Sequence, residues 1–368
     1  MKTIYLDHAA TTPICEAAKR AIIDRLDDFG NPSSSHELGH KALMLIEDAR
    51  ERIAKCINAE PDEIYFTSGG SEANTWALTN KACIISSIEH HSIEPPEDWW
   101  SFDVNAFGIA TIDKIGSLIK MYNHEYITAV SCMAVNNEIG TIQPIKEIAK
   151  IAHSEHAYFH TDAVQAVGHI PIDVKDIDCD MLSASGHKFG APKGIGFLYI
   201  KKGTLLWPLI NGGKQEQGMR GGTENVIGII AMAAALEDAV AHMEEHNKHI
   251  RSMRDKLMLC LLQDDGIIIN GSISYKERVD SNLNVQIKGV KGQDVVAMAD
   301  QYGICISAGS ACNEGNAEPS HVLKAIGLSN EEALSSIRIT LGHDNTFEEI
   351  DYCCDMLPKI IKRLREIS

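Results

Sequence analysis

The chain has 368 residues, 34 Lys and Arg against 51 Asp and Glu, and a formal net charge of −17, with 44% hydrophobic and 23% charged residues. This is ordinary globular composition, long enough to bury a core without staples, and it carries no block of basic residues to neutralise nucleic-acid phosphates. The first thirteen residues lack the apolar core of a secretory signal, the apolar stretch at 226–235 is too short to span a bilayer, and ten Cys lie scattered without a framework, so a reducing cytoplasmic setting is expected.

In chain order, a helix follows His36, with Leu38, Ala42, Leu45, Ala49, Ile53 and Ile57 spaced by three or four. Residues 63–67, 83–86, 127–132, 157–161, 181–185 and 196–200 read as strands. They are almost continuously apolar, as strands covered on both faces are. Residues 145–152 read as a helix between two of them. The alternation predicts an α/β fold with a mostly parallel sheet.

A second unit begins near residue 250, with a helix at 251–262, a strand at 282–286, a helix at 293–301 and a strand at 304–307. Thr346 and Glu349 form a capping box for a last helix. That helix carries Ile350, Cys353, Leu357, Ile361 and Leu364 on one face, and Pro358 is expected to kink it. Residues 1–14 are too short to stand alone. The expected division is therefore 15–250 for a large domain, and 1–14 with 251–368 for a small one.

The polar residues collect at strand ends, where open α/β sheets bind ligands. The first strand runs into Ser68-Gly69-Gly70-Ser71-Glu72 and the second into Glu89-His90-His91. Asn136-Asn137 follow the third, Asp162 ends the fourth with Gln165 a turn later, and the fifth ends in Ser185-Gly186-His187-Lys188. Singly, these have plain readings: a turn and helix cap, a capping Asp, a satisfied His, a solvated Lys. Jointly, they meet the needs of pyridoxal phosphate. That cofactor takes a Lys for a Schiff base, an acid opposite the pyridine nitrogen, a flat partner over the ring and a phosphate cup. Lys188, Asp162, His90 and the Gly70-Ser71 turn fill those roles.

The same residues belong to longer motifs. Tyr5 to Thr12 reads YLDHAATT, Phe29 to Ser34 reads FGNPSS, and Phe66 to Glu72 reads FTSGGSE. Val135 to Gly140 reads VNNEIG, His160 to Gln165 reads HTDAVQ, and Ser185 to Lys188 reads SGHK. Arg220 to Asn225 reads RGGTEN, Gly309 to Cys312 reads GSAC, and Ser336 to Arg338 reads SIR. In this order the chain resembles the NifS/IscS-type cysteine desulfurases of the class-V aminotransferase family.

The resemblance implies a fold-type I, aspartate aminotransferase-like enzyme. Its large domain would hold a mostly parallel seven-stranded sheet, and its small C-terminal domain would be α/β. Lys188 would carry pyridoxal 5'-phosphate, Asp162 pair with the ring nitrogen, Gln165 meet the ring hydroxyl, and His90 stack on the ring and move protons. Gly70, Ser71, Ser185 and His187 would hold the phosphate. Thr223 of a neighbouring subunit would complete that site, making a homodimer. Asn137 and Arg338 would hold the carboxylate of L-cysteine.

Cys312 would be the nucleophile, taking sulfur as a persulfide and leaving L-alanine. It lies in a small, polar, glycine-containing stretch, whereas Cys83, Cys132, Cys353 and Cys354 sit in apolar runs as filler. The persulfide would pass to an acceptor protein, such as an iron–sulfur scaffold or a thiolation enzyme. Lys214 and Gln217 stand where the family has Gly and Arg, and the stretches after Asn74 and Ser92 are short. The same machinery also suits a selenocysteine lyase or another cysteine lyase. A more distant rival is a zinc peptidase built on His242-Met243-Glu244-Glu245-His246, both His being expected on one helix face.

Overall fold

A computed structural model describes residues 3–93, 99–121, 127–308 and 318–367. After a short strand β1 (Ile4–Tyr5) come the strands of the main sheet. They are β2 (Ile64–Thr67), β3 (Ala82–Ser86), β4 (Trp100–Phe102), β5 (Ile127–Ser131), β6 (Tyr158–Asp162), β7 (Met181–Ser185) and β8 (Gly196–Ile200). Their spatial order is β2-β8-β7-β6-β5-β3-β4.

Strands β7, β6, β5, β3 and β4 pair in parallel, while β8 is antiparallel to both β2 and β7. Ten residues separate β7 from β8, too few for a crossover, so the chain turns straight back. Because β8 reverses between them, β2 points the same way as the parallel set. The carboxyl ends of six strands therefore share one edge of the sheet.

Both faces of this sheet are covered. Phe66, Val130, Phe159, Leu182 and Phe197 pack with Ile46 and Ile53 of the Glu37–Cys56 helix, Ile148 of the Ile145–Ser154 helix and Met232 of the Val226–Ala241 helix. Their alternates Ala129, Met181, Leu198 and Ile200 pack with Trp76 and Ala77 of the Gly70–Leu78 helix. That is why the strands are apolar at nearly every position; every residue of β7 and β8 is buried.

The Glu37–Cys56 helix buries Ala42, Ile46, Ala49 and Ile53, whereas Leu38 stays 47% exposed. The apolar stripe thus starts one turn later than the spacing suggests. The elements that escaped the sequence reading include the three-residue edge strand β4 and the Ile115–Met121 helix. Both are too short to establish a period.

Strands β9 (Ile267–Ile269), β10 (Asn282–Ile287), β11 (Ile304–Cys305), β12 (Ser307–Ala308) and β13 (Ser336–Thr340) complete the strand set among the described residues. Four of them form an antiparallel sheet ordered β12-β13-β10-β9, and β11 pairs in parallel with β1. The single strand expected at 304–307 is thus two strands that join different sheets. Ile4, Leu6, Leu257, Val285, Ile339 and Leu357 belong to one apolar cluster here.

The Met243–Leu261 helix begins eight residues before the position expected, because its first two turns are too polar to show an apolar stripe. His242 sits at the break between it and the Val226–Ala241 helix, and the two meet at 70°. His242 caps the second helix, His246 N–H donates to its carbonyl at 2.9 Å, and the two rings stack on one side, 5.5 Å between centroids. Among the described residues, no group of three or more His, Cys, Asp or Glu is placed to hold a metal. No single described helix is long and apolar enough to cross a membrane.

The last helix, Phe347–Ile367, opens on the expected capping box: Thr346 N–H donates to Glu349 Oε2 at 3.2 Å, and Glu349 N–H to Thr346 Oγ1 at 3.3 Å. It runs on through Pro358. Proline has no N–H for the carbonyl four residues back, that of Cys354. The Cys260 thiol donates to that oxygen instead, at 3.2 Å.

Candidate active site

At the shared carboxyl edge lies a cavity of about 320 Å3. Gly70, Ser71, His90, Asn137, Asp162, Gln165, Ser185, His187, Lys188 and Arg338 all line it. Five strands of the main sheet deliver all of these but Arg338, which comes from β13, and Ala9 and Ala10 close one wall.

Lys188 ends a short 3-10 turn, Gly186–Lys188, directly after β7. Its Nζ donates to the carbonyl oxygens of Ala9 at 2.6 Å and Ala10 at 2.9 Å. Gln165 Nε2 donates to the same Ala9 oxygen at 2.9 Å. His169 Nε2 donates to the Lys188 carbonyl at 2.9 Å, and Thr12 Oγ1 to that of His187 at 3.0 Å. The turn and the N-terminal segment thus hold each other.

Asp162 ends β6 and is buried. Its Oδ2 accepts from Asn74 Nδ2 at 2.7 Å and its Oδ1 from Val164 N–H at 2.9 Å. The two donors fix the plane of the carboxylate. Asn74 Nδ2 also donates to Ser92 Oγ at 2.8 Å, and that oxygen lies 2.8 Å from His90 Nδ1. Ser92 N–H donates to the same ring nitrogen at 3.0 Å. A nitrogen that accepts carries no proton, so the neutral ring keeps its proton on Nε2. Burial pushes the His90 pKa down, with Lys188 and His91 adding to it and Asp162 opposing. One amide therefore orients both the acid and the imidazole.

The turn after β2 has the form of an anion cradle. Gly69 takes φ +155°, and the Gly70–Leu78 helix starts there with unpaired first-turn N–H groups. A Cβ on Gly70 would stand 2.6 Å from Val164 Cγ2, so only glycine leaves the approach open. Ser71, Ser185 and His187 add side-chain donors on the same wall. Burial, then Lys188 and Lys193, lowers the His187 pKa to about 4, leaving a neutral ring whose Nδ1 lies 3.1 Å from Thr11 Oγ1.

Arg338, in β13, donates from Nη2 to Asp7 Oδ1 at 2.8 Å and from Nη1 to the Asn137 carbonyl at 3.0 Å. Its buried Nε has no hydrogen-bond partner among the described residues. Asp7 and Asn137 therefore present the guanidinium to the cavity with donor capacity left over.

Sequence reasoning missed the residues that hold the others. Asn74 lies one helical turn beyond Gly70, two residues past the FTSGGSE motif, and that spacing was its only signal. Glu138 also lines the cavity; its Oε2 accepts from Ser320 Oγ at 2.6 Å, and burial raises its pKa to about 7. Glu89 is fully buried with Oε1 accepting from Met133 N–H at 2.8 Å; burial, with Asp162 adding, raises it to about 8. Thr223 is exposed and does not line the cavity. Cys312 lies outside the described residues.

Residues 4–353 match the family described as aminotransferase class-V. The chain belongs to the aminotransferase class-V family. Within it, the chain is 41% identical to "Cysteine desulfurase IscS" of Methanosarcina thermophila, over 100% of this chain and 94% of that one. A NifS-like protein from Rickettsia africae superposes with a TM-score of 0.91 at 33% identity, covering 98% of this chain and 99% of that one. A structure titled "SspA in complex with cysteine" gives 0.77 at 33% identity, covering 94% and 100%. These matches bear out the motif resemblance to NifS/IscS-type cysteine desulfurases and the α/β architecture with its mostly parallel seven-stranded sheet. For a class-V aminotransferase family member, the edge that gathers Lys188, Asp162 and His90 is the place where chemistry is expected.

Proposed function

We propose that this chain is a pyridoxal-phosphate-dependent cysteine desulfurase, converting L-cysteine to L-alanine and moving the sulfur onto Cys312. The reading is carried by one observation: an amine, a doubly anchored carboxylate and a neutral imidazole line a single cavity beside a glycine cradle. That donor set suits the cofactor's aldehyde, ring nitrogen, ring face and phosphate in turn. Bound there, the cofactor supplies an electron sink for charge that develops at the substrate's carbon.

The chain's own residues do the rest. Lys188 would hold the cofactor's aldehyde carbon and would move the proton at the substrate Cα. Asp162 would keep a proton on the ring nitrogen. His90 would cover the ring and offer Nε2–H. Gly70, Ser71, Ser185 and His187 would bind the phosphate, and Gln165 would meet the ring hydroxyl. Arg338 and Asn137 hold the substrate carboxylate. The Cys312 thiolate attacks the substrate sulfur, an S–S bond forms as the Cβ–S bond breaks, and the carbon skeleton leaves as alanine after taking up protons.

The same proposal includes a homodimer with Thr223 completing the partner's phosphate site. Phe29 at 82%, Leu205 at 75% and Trp207 at 77% exposure are large apolar side chains that a second copy would cover. It keeps the division into 15–250 and 1–14 with 251–368, which the separate apolar cluster around Leu257 and Val285 supports. It also keeps a protein acceptor for the persulfide and a cytoplasmic location.

Alanine released from L-cysteine tests the reading. Lys188→Ala is expected to abolish it. Cys312→Ala is expected to bind the cofactor but make no persulfide, and full desulfuration by that variant would remove Cys312 from its role.

A further inference from the structure

Thr223 lies in the long connection between β8 and the Val226–Ala241 helix, and two ion pairs fasten that connection, one to the phosphate turn and one to the helix and strand that precede it. Arg220 grips Glu72 with a fork, Nε to Oε1 at 2.8 Å and Nη2 to Oε2 at 3.0 Å. Glu72 Oε2 also accepts from Ser68 N–H at 2.7 Å. Ser68 and Glu72 flank Gly70 and Ser71, so the carboxylate joins the cradle directly to a residue three positions before Thr223.

A second, deeper pair repeats the design. Glu216 accepts from Arg50 Nη1 and Nη2, both at 2.9 Å, and from Phe66 N–H at 2.8 Å. Phe66 belongs to β2, the strand that enters the cradle. Glu216 and Gln217 hold left-handed backbone, φ 47° and 58°, which side-chain-bearing residues keep only where their surroundings over-determine it. None of Arg50, Glu72, Glu216 or Arg220 lines the cavity. A loop with no duty would not need two forked grips, one buried and one half-buried, since such geometry costs side-chain freedom and desolvation.

We propose that Glu72 and Arg220 are positioning residues that set Thr223 for the partner's phosphate site in register with this chain's own cradle. Each chain's phosphate turn then braces the loop that completes the other chain's site, with Arg50 and Glu216 as the fixed base. The inference rests on the dimer reading above, in which Thr223 acts across the interface.

Mixed dimers separate the two. One chain carries Lys188→Ala, so only its companion forms the lysine-linked cofactor, and the absorbance of that link on titration with pyridoxal phosphate gives a dissociation constant. With Arg220→Gln on the Lys188→Ala chain, the companion's site is expected to bind about tenfold more weakly, as one forked charged contact is worth. Thr223→Ala on that chain should do the same, and combining the two should add nothing further. Glu72→Gln there should match Arg220→Gln, and Arg220→Lys should recover only part of the loss, since it restores the charge but not the fork.

If Thr223→Ala weakens the companion site while Arg220→Gln and Glu72→Gln do not, the positioning inference is overturned and the dimer reading stands. An Arg220→Gln effect seen only when the substitution sits on the competent chain overturns it too. If Thr223→Ala has no effect across the interface, the dimer reading itself fails.

Discussion

The residues that carry chemistry here are held by residues that do not, and Asn74 is the clearest case. Its amide donates to both Asp162 and Ser92, so the acid and the imidazole share one anchor. Lys188, Asp162 and His90 were legible in the sequence because charged groups at successive strand ends have no common structural excuse. Asn74 and Ser92 were not, because an amide or hydroxyl takes its meaning from what the fold brings to it. Glu138 was hidden for the same reason, and it yields a test. Burial raises its pKa from an ordinary 4.5 to about 7, so the folded chain binds a proton that the unfolded chain has released. The stability from this group is full at low pH and is lost as pH rises through about 7. Buried His160 and His187, whose pKa values are lowered, give slopes of the opposite sign, so the test is a difference between chains. In urea unfolding of the cofactor-free protein, Glu138→Gln, which mimics the protonated form, should gain stability relative to the unsubstituted chain as pH rises from about 4.5 to about 7. An unchanged slope would show that Glu138 does not titrate as described.

At the scale of elements, the strands of the main sheet were readable from their unbroken apolar runs. The misses are physical. Residues 243–250 are helical but polar, so the helix shows no stripe until Ile250. Residues 304–308 look like one strand but divide at Ile306, which only the pairing partners decide. Pro358 marks a kink in a sequence reading, and the helix runs on through it, with the Cys260 thiol donating to the Cys354 oxygen that proline leaves unpaired. Cys260→Ala should cost about 1 kcal/mol in urea unfolding, and Cys260→Ser, which keeps a donor, should cost little. Equal losses in both variants would mean packing, not the hydrogen bond, is what matters there. The cradle offers a second test. Gly70→Ala places a methyl against stiff, β-branched Val164, so cofactor affinity should drop, and adding Val164→Ala should recover it. Failure of the pair to recover would point to backbone freedom at Gly70 as the requirement.

At the scale of the molecule, a doubly covered sheet turns one edge toward a wall built from both ends of the chain. Asp7 pairs with Arg338, and Thr340 binds the backbone at His8 and Ala9, so the first residues and the last strand meet at the same cavity. The whole-chain match explains why nine short motifs sufficed to read this plan, while in the proposed dimer Thr223 and the exposed Trp207 would take their meaning from a second copy.

The account stands on Lys188 facing an aromatic aldehyde whose ring nitrogen meets Asp162. Purified protein loaded with pyridoxal phosphate, reduced with borohydride and digested for mass spectrometry puts this to the test. The account predicts one cofactor mass per chain, on the peptide containing Lys188, and none on that peptide in Lys188→Ala. A protein that takes up no cofactor, or carries it on another lysine, would contradict it.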